Sequence, residues 1–280
     1  MTTEDQKNIR TFVEGVAVSA ITQPSQRDLQ RAPGPSDLAD KCDVCVAKKI
    51  ASSLGIEGRG DRGFSLKAWL GTAVHEKLER DLDRIYPHAE QEITVEVAEV
   101  PGLGLVKGHI DLYLPKKLTI VDWKTTDLKK LKEYRSSANP SAYTMGLTAQ
   151  ERAELDELRA LERGGLLKEE QMARLVGLIA ASAEQSGGVP DEYMGQTMLY
   201  LRGLRRSGRQ ADYAVLVFIP RDSNNVEDIW VTSCAYRDDV AEGVLRRAEK
   251  LTSMVRDGRA SELSPHPKCF PCVIRPRLRR

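Results

Sequence analysis

Two C-x-x-C pairs stand far apart in this chain. They are Cys42-Asp43-Val44-Cys45 and Cys269-Phe270-Pro271-Cys272, with Cys45 and Cys269 224 positions apart. Four thiolates suit one tetrahedral zinc or an iron–sulfur cluster. If one metal site takes all four, the two ends of the sequence must meet in space. The metal would then act as a staple closing a loop over most of the chain, with a structural rather than a catalytic role. Buried free thiols or a redox pair are the other readings of such pairs. The fifth cysteine, Cys234 in DIWVTSCAY, reads as a core residue.

The start of the chain, MTTEDQKNIR, has no apolar leader, and no apolar run approaches the ~18 residues of a membrane span. A soluble cytoplasmic protein is expected, with no membrane contact. Structural disulfides are rare in that compartment, which strengthens the metal reading. At 280 residues, 41% hydrophobic and 30% charged, the chain can bury a core, either as one large domain or as a core domain with an insert. Its formal net charge of +1 does not announce a polyanion partner, so local clusters must do so.

Residues 1–20 suit a helix, and residues 21–35 a loop. Ser36 is placed to N-cap a helix running through DLADKCDVCVAKKIASSLG. After the Gly-rich stretch 56–63, Leu66, Trp69, Leu70, Ala73, Val74, Leu78, Leu82 and Ile85 recur at helical spacing until Pro87. The period then changes. Residues 91–100, 104–114 and 118–125 alternate as strands. Beyond them, two charged amphipathic helices flank Gly164-Gly165, with mixed charges that suit a solvated face. The helix DEYMGQTMLYLRGLRRSG, the strands ADYAVLVFIP and DIWVTSCAY, and a last helix complete the chain. The order predicts an α/β fold with a small mixed β-sheet flanked by helices. The expected parts are an N-terminal helical region (1–63) with the first cysteine pair, a core (64–138 and 190–260), an inserted helical hairpin (139–189) and a tail (261–280) with the second pair.

The most unusual stretch is GHIDLYLPKKLTIVDWKTT. Each strand carries an aspartate where a core strand would hold Val or Ile, and aspartate is depleted in strands. Residues two apart share a face. Asp122 and Lys124 therefore point one way, and His109, Asp111 and Tyr113 share a face of the first strand. A tight hairpin around Lys116-Lys117 places Asp111 opposite Asp122, or one residue off. Carboxylates that close repel unless something neutralises them. A hard divalent cation does so, and Mg²⁺ commonly takes one or two carboxylates beside a substrate phosphate. Lys124 then faces the phosphate charge or orients the attacking water. A plain salt bridge at a sheet edge is the alternative.

The pattern Gly108-x-x-Asp111 followed by Asp122-Trp123-Lys124 resembles the PD-(D/E)XK nuclease core. Three further features resemble its RecB-like branch: His75 in GTAVHEKLE on the preceding helix, Gln196 and Tyr200 in QTMLY, and the cysteine pairs at both ends. The resemblance covers roughly residues 36–135 and 190–275. It implies a restriction-endonuclease-like core acting as a DNA exonuclease. Mg²⁺ or Mn²⁺ would be held by His75, Asp111, Asp122 and the Trp123 carbonyl, with Lys124 assisting the water. Gln196 and Tyr200 would help hold DNA. Glu92 is a further acidic candidate, otherwise a surface glutamate. The cysteine segment resembles the iron–sulfur nucleases of the AddB and CRISPR-associated types, which implies a [4Fe–4S] cluster, with Zn²⁺ as the alternative. That family has one cysteine early and three late. Here the split is two and two, with Leu278 near the expected last ligand.

The implied substrate is single-stranded DNA or duplex ends, in recombination, repair or CRISPR-like processing, with a protein partner from such a pathway. A phage recombination nuclease fits as well. Arg202, Arg205, Arg206 and Arg209, the tail Arg275, Arg277, Arg279 and Arg280, and Lys116 and Lys117 are the candidate phosphate contacts. The rival readings are a metal-stapled DNA-binding or adaptor protein that keeps the fold without catalysis, and a zinc-binding interaction protein with incidental hairpin acids.

Overall fold

The computed structural model describes residues 11–16, 18, 19, 22, 32–57, 65–137, 149–168, 170–172, 174, 175, 178 and 191–274. The period-2 segments form five strands: β1 (Glu90–Val100), β2 (Gly104–Leu114), β3 (Thr119–Thr126), β4 (Tyr213–Pro220) and β5 (Trp230–Ala235). They make one sheet in sequence order. Neighbours are antiparallel except β3 and β4, which run parallel. A parallel pair needs a long crossover, and the helical segments after β3 lie within it.

The β2–β3 register is Leu112↔Val121, Tyr113↔Ile120 and Leu114↔Thr119. Continued by one residue, it sets position 111 against 122, as the sequence predicts. The turn itself differs from the expected two-residue tip. Pro115–Lys117 forms a 3₁₀ turn, closed by Leu118 at φ 51° with its N–H on the Pro115 carbonyl at 3.1 Å.

Seven helices matter here: α1 (Pro35–Leu38), α2 (Asp43–Ser53), α3 (Leu66–Ile85), α4 (Leu128–Ser137), α5 (Ala149–Arg163), α6 (Asp191–Arg206) and α7 (Asp238–Arg256). The main core joins Val95, Val97, Ile110 and Ile120 of the sheet to Met198, Leu199 and Leu204 of α6, Ile50 of α2 and Leu251 of α7. The approach of α6 requires glycine: a Cβ on Gly203 would stand 2.8 Å from Val95 Cγ2. Another cluster sets Leu82 of α3 against Leu112, Val121 and Val215. A third packs Phe218 on Trp230, ring centroids 5.2 Å apart, with Leu131 of α4 and the rings of Tyr134 and Tyr193.

Two helices depart from the sequence reading. The helix expected from Ser36 is split. Gly34 caps α1, Pro35 occupies its first turn, and the chain then breaks so that Cys42 caps α2, its N–H held by Asp40 at 2.8 Å. The break sets Cys42 and Cys45 on the first turn of α2. In α3 the predicted apolar stripe exists, yet none of its residues is buried; Trp69 remains 39% and Ile85 70% exposed. Periodicity identifies an apolar side but not whether anything covers it.

The two cysteine pairs meet, joining the N-terminal and C-terminal regions. Arg247 of α7 anchors the first pair's segment through Asp43 Oδ1 at 2.6 Å and the Asp40 carbonyl at 2.7 Å. Cys234 is buried in the core, and burial pushes its thiol up to about 12. The insert has its own seam, in which Leu155 and Leu158 of α5 pack on Leu175 and Leu178, with Arg174 bidentate on Glu154 at 2.9 and 2.8 Å. Among the described residues no helix is long and apolar enough to cross a membrane.

Candidate active site

The aspartates stand where the sheet is irregular. Ile110 and Tyr113 both enter the main core while Leu112 joins the opposite cluster. Regular alternation cannot place residues 110 and 113 on one side, so it slips beside Asp111. Across from the slip, Glu92 sits at φ 47° between the pairs Gln91↔Leu112 and Ile93↔Ile110. That conformation is costly for a non-glycine residue and persists only where the surroundings impose it. It brings Glu92 together with His75 and Asp111: one ligand atom from each lies within 4.8 Å of the others. Glu92, read from sequence as more suited to the surface, is therefore part of the cluster. His109, expected beside Asp111, is exposed and bonded to Thr94 at 3.1 Å.

Each catalytic-type side chain is fixed by a neighbour. Asp111 Oδ2 accepts the Trp123 N–H at 2.8 Å, and Oδ1 lies 3.3 Å from His75 Nδ1. Gly71, one turn before His75, lets α3 approach β3; a Cβ there would meet Thr125 Oγ1 at 3.2 Å. Asp122 and Lys124 share a face as predicted, Nζ standing 2.6 Å from Asp122 Oδ2. Lys124 also donates to Gln196 Oε1 at 3.0 Å, and Gln196 Nε2 donates to Tyr200 Oη at 2.7 Å. Tyr200 in turn packs on Gly108, where a Cβ would come 2.7 Å from its Cε1. Gln196 and Tyr200, expected at the DNA, are both buried. Their contacts make them the support of Lys124.

The environment drives the two aspartates apart. Burial alone would raise Asp111, but His75, Lys124 and the Trp123 N–H together hold it below the usual carboxylate range. Asp122 is fully enclosed, and burial, with Asp111 adding repulsion against the pull of Lys124, raises it to about 6. Two buried atoms meet described neighbours only as ion pairs: His75 Nδ1 with Asp111 Oδ1 at 3.3 Å, and Asp122 Oδ2 with Lys124 Nζ at 2.6 Å. Buried polar atoms are normally satisfied. A hard divalent cation suits the gathered imidazole and two carboxylates of His75, Glu92 and Asp111, a group that does not include Asp122.

The basic cluster after QTMLY has largely internal partners. Arg202 pairs with Asp238 and Glu242, Arg205 with Asp212, and Arg209 with Glu90; Arg205 and Arg209 also cover the rings of Tyr236 and Tyr113. Only Arg206 of that group keeps its place as an exposed cation without a described pair. The tail arginines 275, 277, 279 and 280 lie outside the described residues.

No family model matches this chain, and no curated protein matches it. Among solved structures, SSO0001 is similar at TM-score 0.41 and 15% identity, over 88% of this chain and 86% of that one. LHK-Exo, solved in complex with dAMP, is similar at TM-score 0.42 and 10% identity, over 82% and 91%. A phage-related exonuclease from Haemophilus somnus 129PT is similar at 0.39 and 11%, over 79% and 84%. Likeness at this level assigns neither fold nor chemistry.

Proposed function

We propose that the chain is a divalent-metal-dependent deoxyribonuclease of the PD-(D/E)XK, RecB-like type. It acts as an exonuclease on single-stranded DNA or duplex ends, in recombination, repair or CRISPR-like processing with a protein partner of that pathway. One observation carries the reading: two buried aspartates, Asp111 and Asp122, are gathered with His75, Glu92 and Lys124 in one place. A dead scaffold or adaptor has no use for that cost.

His75, Asp111, Asp122 and Glu92, with the Trp123 carbonyl, would hold Mg²⁺ or Mn²⁺. The ion supplies Lewis-acid charge at the phosphate and makes water a better nucleophile. The protein's own part is positional and electrostatic. Asp111 stays ionised, oriented by Trp123 and His75. Lys124, fixed between Asp122 and Gln196, presents its ammonium to the phosphate charge or orients the attacking water. In-line attack forms the new P–O bond as the bond to the leaving ribose oxygen breaks.

The test is end-labelled single-stranded DNA incubated with Mg²⁺ or Mn²⁺. The wild type should release short products. Asp122→Ala and Lys124→Ala should be slower by roughly 100-fold or more, and chelator should stop the wild type. No cleavage by the wild type, or equal rates for all three proteins, would refute the reading.

A further inference from the structure

The thiol cluster carries information about which metal it takes. Cys45 Sγ lies 3.4 Å from the sulfurs of both Cys269 and Cys272, and Cys42 Sγ lies 4.0 Å from that of Cys272. All four sulfurs fall within 4.8 Å of one another. A zinc–thiolate bond of ~2.3 Å gives a tetrahedron whose sulfur–sulfur edge is about 3.8 Å. In a [4Fe–4S] cubane each thiolate binds a different iron, and the sulfurs spread to roughly 6 Å apart. A [2Fe–2S] centre likewise separates the sulfurs held by its two irons. The observed set is too small for either cluster and matches a single ion.

The chain holds the four sulfurs in this tight form by local means. Cys42 caps α2 and Cys45 lies in its first turn, so one helix start presents both. Cys269 and Cys272 belong to a second tight turn, with the Cys269 N–H on the His266 carbonyl at 2.8 Å and the Val273 N–H on the Cys269 carbonyl at 2.9 Å. The His266 backbone N–H points at Cys42 Sγ from 3.4 Å, an outer-shell contact of the kind that supports a metal-bound thiolate. The two-and-two cysteine split also matches a pair of chelating turns rather than the one-and-three pattern of the iron–sulfur nucleases.

We propose that Cys42, Cys45, Cys269 and Cys272 hold one tetrahedral Zn²⁺ and that the [4Fe–4S] cluster implied by the family resemblance does not form here. Zinc has no redox chemistry, so the staple does not respond to oxidants as an iron–sulfur cluster would. The proposal concerns the staple alone and is independent of the substrate.

The wild-type protein is expressed with both iron and zinc supplied, purified without oxygen, and measured for bound metal. The expected result is about one zinc per chain, no absorbance band near ~400 nm, and zinc release in step with titration of four thiols by a mercurial reagent. Cobalt exchanged into the wild type should give the intense visible bands of tetrahedral thiolate coordination. Asp111→Asn, which alters the other cluster, should keep its zinc. About four irons with the ~400 nm band, a single thiolate-bound iron, or a metal-free protein with paired disulfides would each overturn the proposal. None of these readouts requires a cysteine variant to fold.

Discussion

The site lies between two helices that are held in opposite ways. α6 is sunk into the main core; Met198, Leu199, Leu201 and Leu204 are fully buried, and Gly203 allows backbone contact with β1. α3 has no buried residue. It is tied at its ends by polar clamps. Asp127 takes Lys67 and Arg221, each at 3.0 Å, and Gln91 Nε2 reaches the Glu79 carbonyl at 3.1 Å and Asp83 at 2.7 Å. Lys124 depends on the first helix and His75 on the second. The lysine half of the site therefore rests on a buried helix, while the histidine half rides on a helix with no buried residue. Such an arrangement leaves one wall freer to adjust while Lys124 stays in register, as the proposed chemistry would require.

The contrast is most easily broken on the rigid side. Gly108→Ala forces a Cβ to 2.7 Å from Tyr200 Cε1 and 2.8 Å from Pro35 Cγ. Chemical denaturation should register a loss of about 3 kcal/mol. A loss under 1 kcal/mol would mean that the α6 wall yields as readily as α3.

Next comes the charge enclosed between the walls. Burial raises the Asp122 carboxyl to about 6, above its ordinary range in an unfolded chain. A raised carboxylate favours folding fully below the unfolded value, and that contribution is lost as pH rises through about 6. In chelator-treated protein, Asp122→Asn should therefore be more stable than wild type by roughly 2–3 kcal/mol at pH 8 and near parity at pH 4. Equal stability at both pH values would show that Lys124 fully compensates the buried charge.

The smallest effect belongs to the clamp. Asp127→Ala should cost no more than about 1 kcal/mol globally, as exposed ion pairs do. Amide exchange should nevertheless quicken along α3 and leave α6 unchanged. Equal acceleration in both helices would dissolve the comparison.

Much of this was legible in the residues. The period-2 segments gave the strands, and apolar alternation with the Pro115–Lys117 break gave the β2–β3 register. Asp122 and Lys124 were bound to share a face because they lie two apart. What stayed hidden depends on tertiary context. Glu92 enters the cluster through a positive φ at a position with no glycine to signal it. The exposure of α3 could not be read from its stripe, nor the internal pairing of Arg202, Arg205 and Arg209 from their clustering. Gln196 and Tyr200 share one helical face, and that the face looks inward at Lys124 depends on how the helix packs.

The staple also sets an order in time. Synthesis delivers Cys42 and Cys45 early, and 224 positions pass before Cys269 follows Cys45. Within that interval the hairpin with its two aspartates is completed, well before the second cysteine pair. A chain cut short before the second pair keeps every side chain proposed for catalysis yet lacks the closure. Closure of the fold between its two cysteine segments therefore waits on the second pair.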